Sequence, residues 1–183
     1  MMVRSIKYPK LIMLLLAIGV LLAAFGNAGK ATQSTDTESL KTNKGTSAPL
    51  FDLQDLNGNK VALADYAGQR VYVKFWASWC SICLAGLDEL NTLANQENDF
   101  KVITIVSPDF RGEQSIAGFT KWFKKQEADN ITVLLDQDGT WTQKFGVRGY
   151  PTSAFIGSDG VLVNSAPGHK SNEIITQTFK AIK

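Results

Sequence analysis

Apolar residues fall along this chain in three regimes. Leu11 to Phe25 (LIMLLLAIGVLLAAF) is uncharged and apolar on every helical face over 15 residues. Gly29 to Ala48 is rich in Thr, Ser, Gly, Asn and Lys, with Leu40 its only large apolar residue. From Ala48 onward, short apolar runs alternate with stretches whose apolar residues recur every three to four positions. That alternation predicts an α/β domain, a sheet with helices on both faces.

Within the third regime, Phe51-Asp52-Leu53 and Lys60-Val61-Ala62-Leu63 flank Asn57-Gly58, a turn pair that predicts an N-terminal β-hairpin. Val71 to Phe75, Lys101 to Val106, Val133 to Leu135, Thr152 to Ile156 and Val161 to Val163 are expected strands, the last two joined through Asp159-Gly160. Residues 80–95 are expected to form one helix, with Cys83, Leu87, Leu90 and Ala94 on its buried stripe. Ser115 to Gln126 is an expected amphipathic helix with Ile116, Phe119, Trp122 and Phe123 inward. Trp141 to Phe145 and Asn172 to Ile182 complete the helices.

Charge explains the first regime. Arg4, Lys7 and Lys10 precede the apolar run, and no acidic residue occurs before Asp36. A basic start followed by a short apolar stretch is the order of an export signal. Residues 1–28 are therefore expected to be a signal peptide, or an uncleaved anchor if the span extends through Gly26 to Ala28. Leu22-Ala23-Ala24-Phe25-Gly26 resembles a lipoprotein cleavage box with Phe25 at the lipid-bearing position, so no thioether lipid can form. Residues 29–47 hold too few apolar groups to offset the entropy of ordering and are expected to be a flexible tether. The domain is expected to span 48–183. Removing the three leader cations from the 19 Lys and Arg leaves 16 against 17 Asp and Glu. The domain thus has no polybasic footprint for nucleic acid.

The two cysteines lie three apart, in Trp79-Cys80-Ser81-Ile82-Cys83, after a strand and opening a helix. A disulfide closing so short a loop staples almost nothing, whereas the same spacing lets dithiol and disulfide interconvert without backbone movement. Unpaired N–H groups and the dipole at a helix start favour a thiolate. Cys80 is therefore the candidate nucleophile, and Cys83, one turn in and shielded, the resolving thiol. Structural zinc would need four ligands, and the chain has two thiols and the single His169. A copper site of Cys80, Cys83 and His169 is the alternative of another class, a carrier instead of an oxidoreductase.

Phe75-Trp76-Ala77-Ser78-Trp79-Cys80-Ser81-Ile82-Cys83, with Gly149-Tyr150-Pro151-Thr152 about seventy residues later, resembles the thioredoxin superfamily, specifically its exported TlpA-like branch. The resemblance covers residues 48–183. It implies a thioredoxin-like fold, a central mixed sheet flanked by helices, and a redox-active disulfide between Cys80 and Cys83. It also implies a cis peptide bond before Pro151, packed beside that disulfide, which leaves the Tyr150 backbone free to pair with a substrate peptide. Trp79, Tyr150 and Pro151 are thus supporting residues. The family's cytoplasmic members carry a buried Asp six residues before the first cysteine; here that position is Lys74. A buried lysine tends to lose its proton, so Lys74 is expected either to stabilise a thiolate or to take the proton of Cys83, unless its stem reaches solvent. TlpA-like proteins often place Glu three residues after the second cysteine, where this chain has Gly86. Asp88 and Glu89 receive no role from the sequence.

No dinucleotide fingerprint is present, and the chain is expected to use no cofactor and no metal. Electrons must then come from another protein, which the family implies is a CcdA-type membrane thiol transporter. Ile103 to Phe110, followed by Gly118 to Trp122, resembles thioredoxin-like domains that serve methionine sulfoxide reductases. The expected function is an extracytoplasmic thiol-disulfide oxidoreductase, a monomer, membrane-tethered or secreted, that reduces such a reductase or another exported disulfide protein. A disulfide-forming oxidase and a reductase for cytochrome c maturation share the site and remain alternatives. A peroxiredoxin is disfavoured, since Trp79-Cys80 lacks the Thr-x-x-Cys arrangement.

Overall fold

The computed structural model describes residues 43–183. The leader and most of the tether lie outside the described residues. Among those residues, no helix is long and apolar enough to cross a membrane.

The strands are β1 (Thr46–Ser47), β2 (Asp52–Asp55), β3 (Lys60–Ala62), β4 (Arg70–Phe75), β5 (Phe100–Val106), β6 (Val133–Leu135), β7 (Thr152–Ile156) and β8 (Val161–Pro167). The helices are α1 (Ser81–Ala85), α2 (Leu87–Asn95), α3 (Ile116–Phe123), α4 (Thr140–Lys144) and α5 (Asn172–Phe179). The strands form one mixed sheet in the order β1-β8-β7-β4-β5-β6-β2-β3. β4, β5 and β6 run parallel, with α1–α2 and α3 as their crossovers, as parallel neighbours require. β7 returns antiparallel on the other side of β4, followed by β8 and β1. The β2–β3 hairpin extends the opposite edge, with Leu53 facing Val61 across it.

Period-two alternation along β4 sorts the core into two layers. Tyr72 and Trp76 face α2, α3 and α5, packing with Leu90, Leu93, Phe119, Phe123, Phe155 and Phe179. Val71, Val73 and Phe75 face the other way, toward Phe51, Leu53, Ile103, Ile105 and Phe145. Lys74 has the parity of Tyr72 and Trp76, so its side chain starts on the α2–α5 side. Tyr72 keeps its hydroxyl satisfied there through Ser153 Oγ at 2.8 Å.

Three expectations are corrected. Residues 43–47 do not belong to a free tether: β1 pairs with β8, the Asn43 N–H and Nδ2 donate to Asp159 at 2.8 and 2.9 Å, and Asn43 Nδ2 also reaches the Lys183 carbonyl. Backbone pairing and a side-chain amide hold this polar segment without apolar burial. Residues 80–95 are two helices instead of one, broken at Gly86 (φ −100°, ψ 14°). Ile116 lies at the exposed first turn of α3, while Phe119 and Phe123 point inward.

Candidate functional site

The parallel pair β4–β5 brings the C-terminal ends of both strands to one edge of the sheet, and antiparallel β7 begins at that edge. Three connections therefore converge there: β4–α1 with the cysteines, β5–α3, and the loop entering β7.

Cys80 is the N-cap of α1. Its sulfur accepts from Cys83 N–H at 3.3 Å, and its carbonyl accepts from Leu84 N–H. Cys80 and Cys83 are joined as a disulfide. Cys83 is sealed at 1% exposure and Cys80 sits at 7%, nearer the surface. Around them Trp79 and Ile82 are 53% and 59% exposed, an apolar rim beside the sulfurs. The Trp79 indole meets the Tyr150 ring edge-on at 5.9 Å. The Tyr150–Pro151 bond is cis, and the pairing of Phe75 with Thr152 sets Pro151 at the end of β4. The structure thus brings Trp79, Cys80, Cys83, Tyr150 and Pro151 into one neighbourhood.

Lys74 lies behind this neighbourhood, 2% exposed. It shares a small closed space with Gly86, Glu89, Leu90 and His169. Burial pulls its amine down to about 8, and the nearby Glu89 carboxylate opposes that shift. Glu89 is held in turn: Oε2 pairs with His169 Nε2 at 3.0 Å, and Oε1 accepts from Asn172 N–H at 2.8 Å, at the start of α5. Gly86 makes the room, because a Cβ there would meet the His169 ring at 2.5 to 2.7 Å. The position where relatives often carry Glu is therefore occupied in space by a histidine from the β8–α5 connection.

Sequence reasoning left Glu89 and Gly86 without a role, weighed His169 only as a metal ligand, and passed over Glu113. That buried carboxylate accepts from Ser78 N–H at 2.5 Å and from Ser78 Oγ at 2.6 Å, two residues before Cys80. Its signal in the sequence is one acidic residue in a polar loop. The copper alternative needed His169 beside both thiols. Among the described residues, no group of three or more His, Cys, Asp or Glu is gathered as a metal site.

A model of the Redoxin family matches residues 43–180. The chain is 52% identical over 124 residues to an uncharacterised protein of Haemophilus influenzae, covering 67% of this chain and 80% of that one. It is 31% identical over 170 residues to the thiol-disulfide oxidoreductase ResA of Bacillus thuringiensis subsp. konkukian, covering 92% and 96%. Among solved structures it is similar to the pneumococcal exposed lipoprotein thioredoxin Etrx1 of Streptococcus pneumoniae. There the TM-score is 0.70 at 44% identity, covering 73% of this chain and 100% of that one.

Proposed function

Because the chain belongs to the Redoxin family, in the TlpA-like branch of the thioredoxin superfamily, and is a thiol-disulfide oxidoreductase, we propose that it works outside the cytoplasm as a reductant of partner-protein disulfides, regenerating a methionine sulfoxide reductase. The observation that carries the thiol-exchange reading, with Cys80 as the attacking sulfur, is the unequal burial of the two sulfurs under an exposed apolar rim. A partner disulfide can approach Cys80, while Cys83 is reachable only from within.

In the working direction, the Cys80 thiolate attacks one sulfur of the partner disulfide and expels the other as a thiolate. Cys83 then loses its proton, attacks Cys80, and releases the partner as a dithiol, leaving the Cys80–Cys83 disulfide. Two electrons pass to the partner per cycle. Each methionine sulfoxide repaired consumes two thiols, which is the demand this cycle meets. Tyr150 offers its backbone to the bound peptide, and Trp79 with Ile82 supplies the apolar contact. A membrane thiol transporter of the CcdA type restores the dithiol.

Lys74 is the proton acceptor for Cys83. Its amine lies near 8 because burial penalises the charged form, so the neutral base becomes available as pH rises toward that value. Export is supported by the basic and apolar leader and by the exposed placement stated for the pneumococcal relative.

Trapping tests the partner. Cys83→Ser cannot resolve the mixed disulfide, so a partner linked through Cys80 is expected to accumulate in cells and to be identified by mass spectrometry as a methionine sulfoxide reductase. Recovery of unfolded secretory proteins alone would point instead to a disulfide-forming oxidase.

A further inference from the structure

The connection from β5 to α3, Ser107 to Gln114, touches the cysteine loop at several points. Glu113, buried, accepts from Ser78 N–H, from Ser78 Oγ and from Gln114 N–H, the last at 2.7 Å. Gln114 Nε2 donates to Ser78 Oγ at 3.2 Å. A Cβ on Gly112 (φ +83°) would sit 3.7 Å from the Trp79 indole nitrogen. Arg111 reaches the other side, donating from Nη1 to the Val147 carbonyl at 3.1 Å, just ahead of Tyr150 and Pro151. The connection holds Asp109, Arg111 and Gly112 at positive φ, two of them non-glycine residues for which that conformation is costly.

Every hydrogen bond to the Glu113 carboxylate comes from a donor, the pattern of a carboxylate ion. The donors are neutral. The other charged groups near the loop are engaged elsewhere: Arg111 with Val147 and the Phe110 ring, buried Asp136 with Ser107 Oγ and the Trp141 and Thr142 N–H groups, Lys74 beside Glu89 and His169 behind α2. Glu113 is therefore the charged group bonded to the cysteine loop itself.

We infer that Glu113 is a positioning residue that clamps Ser78 and, as a buried anion next to the Cys80 loop, makes the Cys80 thiolate less favourable and the pair a stronger reductant. When the pair is reduced, the S–S bond breaks and two electrons enter. Cys83 gains a proton and becomes a thiol, and Cys80 is left as a thiolate. A fixed negative charge opposes that new charge, as a neighbouring like charge does for any acid. It therefore disfavours the dithiol state and favours giving electrons away. This rests on the pair acting as a reductant, and it places the control of its strength on a residue that never touches the partner.

The test equilibrates the full chain with reduced and oxidised glutathione and follows the Cys80 thiolate by its ultraviolet absorbance across pH. Glu113→Gln, which keeps the size and an acceptor oxygen but removes the charge, is expected to shift the equilibrium about tenfold toward the dithiol. That corresponds to about 30 mV for a two-electron couple. Cys80 is expected to titrate at correspondingly lower pH. Ser78→Ala keeps the charge and the Ser78 N–H bond to it but removes the two hydroxyl bonds, to Glu113 and from Gln114, and is expected to stay within about twofold of the parent. An unchanged equilibrium in Glu113→Gln, or equal shifts in both variants, overturns the inference, whatever happens to folding stability. Failure of the reductant reading would show separately, in the parent protein's own potential.

Discussion

Cys80→Ser is expected to lose disulfide reductase activity by at least roughly a thousandfold, whereas Cys83→Ser is expected to consume one equivalent of substrate disulfide and then stop. The asymmetry follows from geometry. Cys80 caps α1 and sits under the open side of the rim, so it meets the partner. Cys83, at 1% exposure, has only Cys80 within its reach. Removing the first sulfur removes the attacking group. Removing the second leaves attack intact and release absent. A stopped assay with a chromogenic disulfide, scored for burst amplitude as well as rate, separates the two. A burst from Cys80→Ser would reverse the assignment.

Lys74→Met is expected to stabilise the fold at pH 7 by about 3 kcal/mol while slowing release of the reduced partner by about a hundredfold. The stability gain comes from the depressed amine. Unfolded, Lys74 titrates near 10.5; folded, near 8. Below pH 8 both states are charged, and the folded state bears the full cost of a buried cation, about 1.4 kcal/mol per unit of difference. Between 8 and 10.5 the folded protein has released the proton and the unfolded chain still holds it, so the parent gains stability as pH rises through that window. Methionine fills similar volume without a charge, and its advantage over lysine should fade across the same window. The rate loss reflects the missing proton acceptor, within the usual range for general acid–base groups. Denaturation midpoints at pH 7 and pH 10, together with the pH profile of the release step, check both parts. An unchanged pH profile would remove Lys74 from the mechanism. A residue that weakens the fold yet speeds the reaction is a familiar trade at functional sites.

Local chemistry made much of this legible from residue order alone. Short apolar runs located the central strands, Asn57-Gly58 located the hairpin, and the spacing of Cys80 and Cys83 located the redox pair, because each signal is contained within a few residues. Glu113 was illegible for the opposite reason. Its partner Ser78 is 35 positions away, and only the parallel pairing of β4 with β5 sets their loops side by side. His169 and Gly86 met the same obstacle: an absent Cβ and a distant imidazole acquire meaning only once β8 and α5 are packed against α2. The segment 43–47 was misplaced because its attachment runs through backbone and amide hydrogen bonds, which leave no mark in hydropathy.

The central claim, that the Cys80–Cys83 pair gives electrons to partner proteins, is tested most directly by the reduction potential of the full chain in a defined dithiothreitol buffer. A reductant is expected to lie toward the thioredoxin end of the scale, about −270 mV, and in any case below about −200 mV. A value near about −120 mV, where strong disulfide-forming oxidants lie, would contradict it.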